Sequence, residues 1–173
     1  MLARGGGEIS IVRSGTFPVS ALAPDPARLA GLVTVSAAGG GSATLAGDGA
    51  IGLDLAARAV VRGVTLRGFS TGIAVRSGGS LLLENSVLEG CTEIGIHVAD
   101  GGSALVRDVS VIATGTGAAQ PRASVGVCFE ARAAGQLRRT AIWESQGTGL
   151  IKRAANVRLF QVDPHRNFRN VGR

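Results

Sequence analysis

Five segments of this chain share one pattern, and that repetition limits the fold more than any other feature of the sequence. They are Gly52-Leu-Asp-Leu, Gly72-Ile-Ala-Val, Gly95-Ile-His-Val, Gly126-Val-Cys-Phe and Gly149-Leu-Ile-Lys. Their first residues are separated by 20, 23, 31 and 23 positions. A second pattern follows each: Val61-Arg-Gly-Val-Thr-Leu, Leu83-Glu-Asn-Ser-Val-Leu, Val106-Arg-Asp-Val-Ser-Val, Leu137-Arg-Arg-Thr-Ala-Ile and, more loosely, Val157-Arg-Leu-Phe-Gln-Val. Turn residues such as Ser77-Gly-Gly-Ser and Asp100-Gly-Gly-Ser stand between them.

Both patterns alternate with period two, the period of a strand and not of a helix. Leu53, Ile73, Ile96, Val127 and Leu150 form one apolar column, and Leu55, Val75, Val98 and Phe129 a second on the same face. Asp54, Ala74, His97, Cys128 and Ile151 then point away from that face. One unit of about 20–30 residues cannot bury its own apolar side, but stacked units bury each other's. The expected fold is all-β: one right-handed parallel β-helix of about six or seven coils, ~4.8 Å apart. The 31-residue interval holds Thr114-Gly-Thr-Gly-Ala-Ala-Gln-Pro, read as a loop extension. Ala23-Pro-Asp-Pro reads as a turn or a short helix start with Asp25 as N-cap. Residues 162–173 read as an irregular, charged C-terminal cap of a single domain spanning 1–173.

The paired Gly-Ile-x-Val and Val-x-Asn-Ser-x-Leu motifs resemble the repeats of the pectate-lyase-like superfamily of parallel β-helix proteins. The resemblance is closest to short bacterial β-helix proteins of undefined function, where Gly-Glu-Ile opens the first coil as Gly7-Glu-Ile does here. It covers nearly the whole chain and implies a fold far more strongly than an activity. Such proteins carry an export signal and a cap ahead of the first coil, which implies an exported or cell-surface location. The start Met-Leu-Ala-Arg-Gly-Gly-Gly has no hydrophobic signal-peptide core, so the chain reads as N-terminally shortened.

Charge divides the 173 residues unevenly. Up to Pro121 there are eight arginines against nine acids; beyond it, ten basic residues against Glu130, Glu144 and Asp163. The basic half points to an anionic partner. Lys152 is the single lysine and aromatics are 3%, which weakens nucleic-acid binding. Cys91 and Cys128 form neither a disulfide framework nor a zinc spacing, so both are read as free thiols. No apolar run is long enough to span a membrane.

Enzymes on this fold that act on sugars need clustered acids, and calcium needs several oxygen ligands. The outward columns supply Asp54 and Glu130, three coils or ~14 Å apart. That separation suits neither chemistry. His97 and Cys128 sit on adjacent coils and could make a base–nucleophile dyad, with Arg76 and Asp54 as further weak catalytic candidates. No cofactor or metal is read. Arg62, Glu84, Arg107, Arg138 and Arg158 are expected in one outward column, with Glu84 satisfying two arginines. Arg138, Arg139, Arg158 and the only tryptophan, Trp143, are the binding candidates, Trp143 as a stacking platform.

Two functions follow as expectations. The first is a non-enzymatic scaffold or binding module that shows a basic face to an anionic polysaccharide or a protein partner. Its N-terminal strand edge would be open to a partner or to self-association. The second is a polysaccharide lyase or glycoside hydrolase, or the remnant of one, acting on acidic glycans.

Overall fold

The computed structural model describes residues 7–11, 15–18, 32–37 and 43–172, and the chain there winds as a parallel β-solenoid. One face is a sheet of short strands: β5 (Ile51–Leu55), β8 (Thr71–Val75), β10 (Ile94–Val98), β12 (Val125–Phe129), β14 (Thr148–Lys152) and β16 (Arg169–Gly172). The opposite sheet has long, bent strands: β9 (Ser80–Glu89), β11 (Ser103–Ile112), β13 (Ala134–Trp143) and β15 (Val157–His165). In the earlier coils each long strand is split in two: β1 (Gly7–Ile11) with β2 (Gly15–Pro18), β3 (Val33–Ala37) with β4 (Ala43–Ala46), and β6 (Arg58–Arg62) with β7 (Val64–Arg67). Each coil therefore runs short strand, turn, long strand, turn. The turn or helix expected at Ala23-Pro-Asp-Pro lies outside the described residues. β1 pairs with β3, and the expectation of an open edge there also involves residues outside those described.

The apolar columns stack as the repeat requires. Leu53 pairs with Ile73, Ile73 with Ile96, Ile96 with Val127 and Val127 with Leu150. All five are at most 1% exposed. The glycine that opens the first motif has a steric cause. A Cβ on Gly95 would lie 2.5 Å from both the Gly126 carbonyl oxygen and Val111 Cγ1. The short sheet thus crosses the long sheet's side chains too closely for any other residue.

The long strands bend at one shared position. Gly63, Asn85, Asp108, Arg139 and Gln161 hold φ of 65°, 49°, 55°, 45° and 53° there. A left-handed residue at this point turns the strand without breaking the stack.

The last coil departs from expectation twice. Val162–Gly172, expected as part of an irregular cap, contains the end of β15 and all of β16, both in register with the preceding coil. The register of β15 is also offset by two from the motif alignment. Leu159, not Val157, pairs with Leu137, and Phe160, not Arg158, pairs with Arg138. The bend fixes this, because Gln161 must fall under Arg139, and counting back from it puts Phe160 in the arginine column.

Candidate functional site

The outer face of the short sheet carries the column Asp54, Ala74, His97, Cys128, Ile151 in the expected order. Outward does not mean exposed here. Cys128 is 4% exposed, flanked by His97 and Ile151 on its neighbouring strands. The four weak catalytic candidates separate into two groups. Arg76 reaches back one coil and donates from Nε and Nη2 to the two Asp54 oxygens at 2.6 and 2.9 Å. That pairing raises the Arg76 pKa and leaves its guanidinium committed.

His97 and Cys128 stand on adjacent strands, and the turn after β12 adds Glu130. Its Oε1 lies 3.4 Å from His97 Nε2 and accepts a 3.6 Å contact from Cys128 Sγ. Its Oε2 accepts from Arg153 Nη1 at 2.7 Å. Arg153 foremost, with His97 and Cys128, holds the Glu130 carboxyl below its ordinary range. Burial, then the Glu130 charge, pushes the Cys128 thiol up to about 12. A nucleophilic cysteine needs the opposite shift, so this geometry does not favour the dyad as an acyl-transfer centre. Cys91 is buried at the corner below Phe69, its thiol also pushed up to about 12 by burial. Both thiols are free.

The binding candidates are spread along the long sheet. Glu84 is buried and takes Arg62 Nε at 2.5 Å on one side and Arg107 on the other, as the column implied. Arg138 follows Arg107 and lies 5.8 Å over the Phe160 ring. Arg158 is in a different column, beside Gln136. Arg139 is not available: it makes a two-pronged ion pair with Asp108 at 2.6 Å. This pair lowers the Asp108 carboxyl below its usual range. Trp143 is 38% exposed, and one side is covered by His165, ring centroids 4.7 Å apart. His165 in turn meets Asp163 at 3.1 Å.

A third group escaped sequence reasoning. The loop extension folds back on the stack, tied by the Gly115 N–H to Cys91 O at 2.6 Å and by the Gln146 N–H to Thr114 O at 2.8 Å. Between its 3-10 turn, Pro121–Ala123, and the last two coils is an open cleft of about 1280 Å³. Phe168 projects into it, 56% exposed, with Arg122 at 4.9 Å and Arg169 at 6.0 Å from its ring centroid. The 31-residue interval signalled the loop. Nothing in the local sequence told that it would meet Phe168, because that meeting spans two coils.

Pairing state divides the cations. Arg62, Arg67, Arg76 and Arg107 each hold a carboxylate, as do Arg132, Arg139 and Arg153. Arg58, Arg122, Arg138, Lys152, Arg158 and Arg169 have no carboxylate within ion-pair reach among the described residues. All but Arg58 lie beyond Pro121.

Comparison with family models, with curated proteins and with solved structures finds no match. No helix among the described residues is long and apolar enough to cross a membrane.

Proposed function

We propose that this chain is a binding module built on a pectate-lyase-like β-helix, with its C-terminal coils presenting a basic surface to an anionic polysaccharide. The observation that carries this reading is the concentration, among the described residues, of unpaired cations beyond Pro121, while Arg62, Arg67, Arg76 and Arg107 earlier in the solenoid hold carboxylates one coil away and Arg58 alone there does not. An unpaired guanidinium has its donors free for carboxylate or sulfate. Phe168 between Arg122 and Arg169 adds an apolar plane for a sugar ring.

Retention on a column of sulfated or uronic-acid polysaccharide tests this against matched controls. Arg122→Gln, Arg138→Gln, Arg158→Gln and Arg169→Gln should each lower the salt needed for elution, and the quadruple variant should abolish retention. Arg62→Gln and Arg139→Gln, which remove paired cations, should elute close to wild type. Equal losses in both sets, or no retention at low ionic strength, would sink the proposal. The same polymers should be recovered uncleaved. Release of unsaturated uronides or new reducing ends would promote the lyase or hydrolase reading.

A further inference from the structure

We propose that His97, Cys128 and Glu130 form a three-ligand site for a zinc-type divalent cation on the outer face of the short sheet. The three donor atoms, Nε2, Sγ and a carboxylate oxygen, lie within 4.8 Å of one another. Tetrahedral zinc with ordinary bond lengths separates its ligands by about 3.3 Å for nitrogen to oxygen and about 3.5 Å for sulfur to oxygen. The corresponding separations here are 3.4 Å and 3.6 Å. Two edges of the coordination tetrahedron therefore exist without rearrangement, and the third closes by a small rotation of His97 or Cys128.

The surroundings support the site. Parallel pairing of β10 with β12 fixes His97 beside Cys128, so their backbones are already placed. Arg153 holds Glu130 by Oε2 and leaves Oε1 facing the other two donors, the role of an outer-shell partner to a ligating carboxylate. Ala74 and Ile151 border the column on either side, both apolar. The His97 and Glu130 side chains are 25% and 28% exposed, so a fourth position is open to water. One thiolate and one carboxylate neutralise a dication. The sulfur donor selects zinc or cobalt over magnesium and calcium. Sequence spacing alone did not suggest this, since the ligands come from two coils and one of them from a turn.

Cobalt titration of the full chain is the deciding experiment. Expected are one equivalent bound, a thiolate-to-cobalt charge-transfer band, loss of that band on adding zinc, and no response to calcium. Among the described residues no His or carboxylate donor groups with Cys91 as His97 and Glu130 do with Cys128, so the band reports Cys128. Cys128→Ser should remove the band, and Glu130→Gln should weaken cobalt binding at least tenfold. His97→Ala leaves the sulfur in place and should shift the titration midpoint at least tenfold to higher cobalt, which keeps the test decisive if Cys128→Ser does not fold. A cobalt spectrum without a thiolate band, an unmoved midpoint in His97→Ala, or calcium binding as tight as zinc would overturn the proposal.

Discussion

Val64 and Thr65 are neighbours in β7, and the stack treats them oppositely. Val64 is 1% exposed inside the solenoid, while Thr65 faces outward and is only partly covered. Val64→Asp buries a carboxylate with no cation to meet it, at a cost of several kcal/mol, a large share of the stability of a domain this size. Thr65→Asp leaves its charge in water. Thermal melts should show Val64→Asp unfolded or melting far below wild type and Thr65→Asp within a few degrees of it. Equal losses would mean that the strand register is wrong. The inward columns were readable because alternation ties each residue to a face. The state of the outward residues was not. Whether Arg139 is free depends on Asp108 in the previous coil, and whether Cys128 is exposed depends on His97 and Ile151. The column sequence gives the neighbours, while side-chain length and turn geometry decide what they do. Glu130 shows this most clearly. It stands two residues after Cys128, in a turn, and its carboxylate still returns to the column.

Turns and bends set the scale of one element. Two glycines show that the same residue type serves two separate physical needs. Gly90 has φ of 62°, and a Cβ there would meet nothing within 4 Å, so its need is conformational. Gly95 lies within β10 and its need is space. Gly90→Ala should cost about 1 kcal/mol, the penalty for a left-handed alanine. Gly95→Ala forces its Cβ against backbone and should cost several times more or prevent folding. Urea unfolding midpoints of the two variants separate these cases, and a similar loss in both would refute the distinction. The shared bend also accounts for the misread last coil. Pattern matching placed Val157-Arg over Val106-Arg because the letters agree. The left-handed bend at Gln161 is a backbone property that Gly63 and Asn85 announce in earlier coils, but that glutamine does not.

At the scale of the whole molecule, the coils hold each other through adjacent pairings, so the stack has no single keystone. The apolar columns are nearly interchangeable from coil to coil, and the charged ones are not. Length is therefore a free variable of this architecture, whereas charge pattern is tied to coil order. Removing residues 71–93 would bring Ile94 to the place of Thr71 and leave the core ladders continuous. The same deletion would set Arg62 against Arg107 without Glu84 between them, and Asp54 beside His97 instead of beneath Arg76. The shortened chain should keep the far-ultraviolet signature of a parallel sheet and melt lower at low ionic strength, with part of the loss restored by added salt that screens the facing arginines. Failure to form any β-structure would show that the coils are not exchangeable. A solenoid of this kind can gain or lose a turn and remain the same fold while becoming a different surface.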